Sequence, residues 1–465
     1  MVRTRSQAAR AAKPHDSTHD ANSETLPHEA VIRTVEIDAE STDSFDTVPP
    51  IYTIDLSLPP EQRYVQVAKD YKLVIEGLTH IFDDLLESVK LPKKLFHFVA
   101  RLILRKLHSK EQTAELAGIS KVTEVPMYLL VAYNVLLDLF MGCTSGGIPV
   151  KERGKRESKI MHFRTLDWGM PQLKEAIAQF EFKEKPDGEV VARTINYVGF
   201  VGVVTGVTKG LSLSLNFRPY HNDDRSTWSN CKFYGHILMV LLGLRPCIAA
   251  HLRDVMLPPS RAPRTKNRKR KNREDDTPGY ALTDMTREIP PVPSHILANI
   301  ARDFPSIPTT AAYLTFCSGA QTIVLEKDRV TANIVCSDTF VTVTNHDVSY
   351  ESLSTNAQAA HAAHAKTHHF GIGMKELVDE SMDRKGCMVA KWEKRCRRLR
   401  QRGRGGPKGD QEGVELQELK RWLLDYPVTN GETHFVTIMD PAEGVFRWVR
   451  SFEKSLFEES DEGGE

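Results

Sequence analysis

Residues 140–145, Phe140-Met141-Gly142-Cys143-Thr144-Ser145, mark a change of pattern along the chain. Just before them runs MYLLVAYNVLLDLF, apolar nearly all round, which reads as a buried helix opening at Pro126 and ending at Phe140. After Cys143 the period changes. SKIMHFR, LSLSLNF, AAYLTFC, TIVLEK, VTANIVC and TFVTVTN read as strands, as do THFVTIMD and VFRWVRS nearer the C-terminus. Helical stretches intervene around 232–256 and 371–400. A helical N-terminal third followed by a strand-rich body with scattered helices predicts an α+β layered sandwich, not a parallel βαβ repeat.

Working outward, 48–142 is expected to form a helical N-terminal segment and 143–455 the main domain. Residues 1–47, poor in large apolar groups, read as a disordered tail, and 456–465 as an acidic tail. Residues 61–90 place Val65, Leu73, Val74, Leu78, Ile81, Phe82, Leu85 and Leu86 at helical spacing. Residues 93–108 form an amphipathic pattern, with Leu95, Phe98, Val99 and Leu102 opposed by Lys94, His97, Arg101 and Arg105. Such a helix can dock on a lipid surface, but packing against its own domain is the commoner use and is the expectation here.

The chain has 465 residues, 62 Lys+Arg and 61 Asp+Glu, for a formal net charge of +1. This balance excludes a protein that is basic or acidic throughout. It also hides segregation. Residues 261–273 hold eight Lys/Arg in 13 positions, and 391–404 hold eight in 14. These stretches supply 16 of the 62 cations and one of the 61 acids, so the remainder is net negative by 14. Flanking Pro and Gly residues make both read as surface insertions, near 258–290 and 391–415. They are the basis of a rival class, a nuclear or nucleic-acid-binding protein. Solvated loops are the preferred reading, because neither an aromatic strand platform nor a recognition helix accompanies them. No run of about 18 apolar residues predicts a membrane span. As written, the start has no apolar signal core, so a cytoplasmic or nuclear location is expected. Seven cysteines without regular spacing form neither a disulfide framework nor a CxxC zinc site.

Cys143 invites two readings. A free Cys is most often a small buried apolar residue. It becomes a nucleophile where a base or cation gives it thiolate character. Arg164 and Asp167, three apart at the end of the next strand, can point into one cleft beside it. By itself such a pair is more often a surface ion pair of little value.

Several ordered stretches carry a resemblance. Met141-Gly142-Cys143-Thr144-Ser145, followed by Arg164-x-x-Asp167-Trp168-Gly169, resembles the acid ceramidase and N-acylethanolamine acid amidase family of N-terminal-nucleophile hydrolases. Tyr52 to Pro60 is similar to the opening of that family's small subunit. Leu116 to Thr123 is similar to the segment leading to its cleavage site. The glycine-rich stretch 197–206 with Leu213 to Arg218, and Thr344-Asn345-His346-Asp347, are similar to its central motifs. The resemblance covers about 48–455, interrupted by the two basic segments.

The resemblance implies an αββα sandwich and self-cleavage before Cys143. The freed α-amino group, with a pKa of roughly 7.7–8.0, would act as base for the thiol on its own residue. It implies that Arg164 supports the thiolate, Asp167 orients the α-amino group and Asn345 donates to the oxyanion. Arg384 matches a family Arg. The implied substrate is a lipid amide, ceramide first and N-acylethanolamine second, with no cofactor or metal. The implied partners are the two cleavage fragments themselves, with anionic lipid as a peripheral contact. Members are usually lysosomal or secreted, unlike the expectation from the start of this chain. One departure stands out: the family often has Asn-Glu-Arg where this chain has Asn216-Phe217-Arg218. Residues 1–142 contain no cysteine, so cleaved pieces would be held by apolar packing, not a disulfide. The stretch 199–206 lacks the spacing of a phosphate loop. His361, His364 and His368 can share a helix face, but an Ala/His-biased insertion is the preferred reading over a metal site.

Overall fold

The residue at which strand patterning begins is where the first long strand starts. In the computed structural model, residues 46–77, 83, 92–136, 142–152, 154, 157–219, 221, 227–257, 295–354, 374–401 and 413–452 are described. Strand β1 is Asp46–Thr47 and β2 is Ile51–Asp55. Helices α1 (Lys93–Ile103), α2 (Lys110–Thr123) and α3 (Met127–Leu136) precede β3 (Gly142–Lys151) and β4 (Ser158–Asp167). Strands β5 (Ile177–Lys183), β6 (Val190–Tyr197), β7 (Thr205–Thr208) and β8 (Leu211–Phe217) follow. Helices α4 (Thr227–Leu241), α5 (Ile248–Met256) and α6 (His295–Asp303) lead to β9 (Ala312–Cys317), β10 (Thr322–Lys327), β11 (Ala332–Ser337) and β12 (Val341–Val343). The chain closes with α7 (Met374–Gln401), β13 (Val414–Glu415), α8 (Leu416–Leu424), β14 (Thr433–Asp440) and β15 (Val445–Phe452).

The strands form two sheets. One runs β1-β15-β14-β4-β3-β12 with β13 on β3, and the other runs β11-β10-β9-β8-β7-β6-β5-β2. Side chains alternate across β8, and the two faces differ. Ser212, Ser214 and Asn216 turn toward the first sheet, where they bond His162 and Ser145. Leu211, Leu213 and Leu215 join the apolar core shared with Leu116, Leu129 and Leu252 of the helices. On the far side of the first sheet, Ile148, Met161 and Phe163 pack with Met388 of α7 and Leu419 and Leu423 of α8. The order is therefore helices, sheet, sheet, helices. This is an α+β architecture, as the pattern predicts, and the region between the sheets is unusually polar. From Phe45 onward the helical segment and the strand-rich part are one compact unit.

Several details differ from the sequence reading. The helix expected over 61–90 begins as short turns, Pro60–Arg63 and Val65–Asp70, because Tyr64 (φ −107°, ψ 9°) and Tyr71 (φ −106°, ψ 22°) leave the helical basin. The stretch 232–256 is two helices, broken at Gly243, whose φ of 65° favours glycine. Helix α2, capped by Ser109, whose side chain accepts from Gln112 N, lies outside the helices that the periodicity predicts, and β5 and β6 lie outside the predicted strands. Asp46 and Thr47, assigned to the tail, pair with Phe452 and Ser451.

Two corrections bear on function. Helix α1 does not bury its apolar stripe: Leu95, Phe98 and Leu102 are 59–62% exposed, and only Ala100 is buried. The second basic run is not a loop through 391–401. It is the end of α7, because Met388, Cys396 and Leu399 recur at helical spacing and are buried. Residues 261–273 and the His-rich 357–369 lie outside the described residues.

Candidate active site

Cys143 stands second in β3, fully buried and facing the second sheet. Its Sγ lies 3.4 Å from Arg164 Nη2, which β4 brings alongside through the pairing of Ser145 with Arg164. Arg164 Nη1 donates to Leu215 O at 2.6 Å and Val204 O at 3.3 Å, so carbonyls of the opposite sheet fix the guanidinium. Cys143 N donates to Asn345 Oδ1 at 2.8 Å. The same oxygen accepts from Arg384 Nη2 at 2.9 Å. Arg384 Nη1 lies 3.6 Å from Asp167 Oδ2, and Thr433 Oγ1 donates to Asp167 Oδ1 at 2.7 Å. All five expected site residues thus meet in one buried cluster at the Cys143 end of the sandwich.

Two of them hold positions other than those the resemblance implies. Asn345 takes the Cys143 N–H through its oxygen, while its Nδ2 donates to Phe217 O at 2.7 Å. Asp167 turns its carboxylate to Thr433 and Arg384, and Cys143 N bonds Asn345 instead. In the uncut chain this nitrogen is an amide donor and needs an acceptor. Asn345 supplies it.

Burial sets the proton positions. The Cys143 thiol is pushed up from its ordinary value by burial, with Arg164 the main opposing influence. It is therefore a thiol, not a thiolate, at neutral pH in the uncut chain. Burial raises the Asp167 carboxyl to about 6, while Arg384 and Thr433 pull the other way. Arg164 is drawn below its ordinary value by burial, offset first by Cys143, yet a guanidinium stays charged.

Sequence reasoning missed the residues that hold these groups. Ser381 Oγ accepts from Asn345 N at 2.6 Å. Ser145 Oγ donates to Asn216 Oδ1 at 2.6 Å, which links β3 to the strand before Arg218. No local motif marks Thr433 or Ser381, and Ser145, although it closes the Met141-to-Ser145 stretch, gives no local sign of its partner Asn216, because each acts across a long separation. Where the family often has an acid, Phe217 contributes its backbone carbonyl to Asn345, and Arg218 pairs with Asp347 at 2.6 Å in the interior. The glycine-rich stretch is a docking turn for α3. Asn134 Nδ2 donates to Gly199 O at 2.8 Å and its Oδ1 accepts from Val201 N at 2.8 Å. Among the described residues no group of His, Cys, Asp or Glu could hold a metal ion.

The fold and site define a class: a two-sheet α+β protein with a buried thiol near the start of a strand, flanked by two arginines, a carboxylate and an amide. The family model for the beta subunit of N-acylethanolamine-hydrolyzing acid amidase matches residues 47–108. Acid ceramidase from Homo sapiens is 27% identical over 188 residues, 36% of this chain and 45% of that protein. Acid ceramidase from Mus musculus is 28% identical over 188 residues, with the same shares of 36% and 45%. A solved N-acylethanolamine-hydrolyzing acid amidase ortholog from Caenorhabditis elegans aligns with a TM-score of 0.39 at 17% identity, covering 67% of this chain and 99% of that one. The chain is related to the acid ceramidase and N-acylethanolamine acid amidase family. Its matches span about 45% of the length of the curated relatives.

Proposed function

We propose that this chain is an acid ceramidase-like amidohydrolase, matured by cleavage of its own Gly142–Cys143 bond. Its substrate is then ceramide, cut to a sphingoid base and a fatty acid, with N-acylethanolamine as the alternative. One observation carries the reading: Cys143 Sγ is 3.4 Å from Arg164 while its backbone nitrogen is held by Asn345. Thiol and nitrogen of one residue are thus both positioned in a cluster with two buried cations.

The chemistry follows from that arrangement. Maturation breaks the Gly142–Cys143 amide by adding water, leaving a carboxylate on Gly142 and an α-amine on Cys143. That amine takes the thiol proton, and the thiolate attacks the substrate carbonyl carbon. Collapse of the tetrahedral intermediate breaks the substrate C–N bond, and the protonated amine returns its proton to the leaving nitrogen. Water then cleaves the thioester, releasing the fatty acid and restoring the thiol. Arg164 stabilises sulfur charge, and the Asn345–Arg384 pair fixes the amine.

Fragment association is supported by the packing. β2, from the N-terminal piece, pairs in parallel with β5. Glu115 of α2 is buried and accepts from Arg253 Nη1 at 2.6 Å and Nη2 at 2.7 Å. These contacts and the shared core supply the cohesion that a disulfide provides elsewhere. A peripheral lipid contact is supported by the exposed stripe of α1, flanked by exposed Lys94, Arg101, Arg105 and Lys106. The nucleic-acid reading finds less support. In the described part of the second basic run, 391–401, Lys391, Arg395 and Arg397 already pair with Asp425, Glu418 and Glu393.

Intact-mass measurement of purified wild type and Cys143→Ala tests the proposal. Two fragments in wild type, the larger beginning at Cys143, and one chain in the variant are expected. An uncut wild type that still hydrolyses ceramide rejects maturation, and a cut chain without amidase activity rejects the substrate class.

A further inference from the structure

A cavity of about 220 Å³ lies beside the Cys143 cluster, between α7 and the turn leading into β14. Glu380, Asp383 and Arg384 line it from the helix, and Tyr426, Asn430 and Glu432 from the turn. Three carboxylates therefore surround one cation. Arg384 is only 1% exposed, yet among the described residues its Nε has no hydrogen-bond partner. Its Nη2 reaches Asn345 Oδ1 at 2.9 Å, and that oxygen holds Cys143 N at 2.8 Å. The cavity wall and the residue bearing the thiol are two hydrogen bonds apart. Glu432 O accepts from Trp168 N at 2.8 Å, which ties the acidic wall to the end of the strand carrying Asp167. Burial pushes the Glu432 carboxyl up and Glu380 adds to the effect, so these two acids sense each other.

Size and charge restrict the occupant. Sites for whole small ligands run to roughly 300–1,000 Å³. This cavity suits a head group, not an acyl chain. Its carboxylates accept hydrogen bonds from hydroxyl or ammonium groups and repel an anion.

We propose that the acid-walled cavity receives the amine-side head group of the amide substrate and selects hydroxylated or cationic heads against anionic ones. This rests on the amidase reading above.

The test compares kcat/KM of the matured full chain for N-palmitoylethanolamine, N-palmitoyl-1,3-diaminopropane and N-palmitoylglycine. Wild type is expected to disfavour the anionic glycine conjugate. In Glu380→Gln/Asp383→Asn/Glu432→Gln the neutral-to-anionic ratio should fall about fivefold to tenfold, the amount that three solvent-facing charges supply. Glu380→Gln alone, on an exposed helix face, should give part of the same shift. A ratio within about twofold of wild type in both variants, with the amides still cleaved, overturns the cavity assignment and leaves the amidase reading standing. No cleavage by wild type of any of the three or of ceramide, run alongside them, overturns the amidase reading and this inference with it, whereas cleavage of ceramide alone overturns only this inference.

Discussion

Arg384 Nη2 donates to Asn345 Oδ1 at 2.9 Å across 39 positions of sequence, and that oxygen also accepts the Cys143 N–H. Arg384 Nη1 is at the same time 3.6 Å from Asp167 Oδ2. One buried cation thus orients the amide that holds the Cys143 N–H and offsets the nearest buried carboxylate.

Replacing that cation should harm both functions. Arg384→Gln leaves Asp167 buried beside no compensating charge at that oxygen, which costs about 3 kcal/mol of stability. It should also lower kcat/KM by roughly 100-fold, the scale of losing one charge-stabilising contact. Urea denaturation and ceramide hydrolysis measure the two effects separately. Arg384→Lys should recover part of the stability but little of the rate, because an ammonium cannot span both partners. Equal stability losses in the Gln and Lys variants would argue that the charge at this position does not support Asp167.

Thr433 is the second support of Asp167, through the 2.7 Å bond from its hydroxyl. Thr433→Val keeps the shape and removes the donor, so about 1–3 kcal/mol of stability should be lost. Thr433→Ser should lose much less. The Asp167 carboxyl should rise above about 6 in the Val variant, since a bond favouring its charged form is gone. The pH dependence of activity in the two variants reads this out.

His162 lies between the sheets, its ring nitrogens each 2.9 Å from Ser212 and Ser214 hydroxyls, and burial lowers its pKa to about 3. His434 is likewise held near 3 by burial, between Tyr197 OH and Trp168 O. Both depressed values mean that the unfolded chain binds more protons than the native one below about pH 6.5. Stability is fully present above that pH and falls as pH drops toward 3. Asp167 has the opposite sign. Its raised pKa favours the native state at low pH and withdraws that stability between about 4 and 6. The two histidines outweigh the one acid, so unfolding free energy should decline from pH 7 to 4. His162→Gln should shallow that slope by roughly one proton's worth. An unchanged slope would show that His162 protonates in the folded protein.

The exposed stripe of α1 gives a membrane prediction. Phe98→Asp/Leu102→Asp should lower the ratio of hydrolysis on anionic vesicles to hydrolysis in detergent micelles about tenfold. Both side chains are about 60% exposed, so folding should tolerate the change. Vesicle flotation and paired activity assays check it, and an unchanged ratio would remove α1 from any lipid contact.

Much of this arrangement was readable before folding, and the failures have physical causes. The alternation of LSLSLNF marks β8, but it does not say which face is inward. The serines, not the leucines, face the opposite sheet, because the first sheet offers His162 and Ser145 as partners. β5 does alternate, with Gln179, Glu181 and Lys183 between Phe180 and Phe182, so its period is legible in the sequence even though Gln179 is buried with the phenylalanines. The charge of 391–404 points to a solvated loop, yet the buried Cys396 and Leu399 keep 391–401 on the body. The spacing in α1 marks an amphipathic helix, and its surroundings decide that the apolar stripe stays exposed.

The sequence by itself determined the change from helix to strand around Gly142-Cys143 and the identities of the thiol, the two arginines, the acid and the amide. Those depend on residue chemistry and on backbone periods that repeat within a few residues. Only the tertiary structure decided that Cys143 and Asn345, 202 positions apart, share a 2.8 Å bond. It also decided that Thr433 steadies Asp167 and that an acid-walled cavity opens beside Arg384. Sheet order brings such groups together, and burial then shifts their protons, so neither distance nor charge state can be read from local spacing.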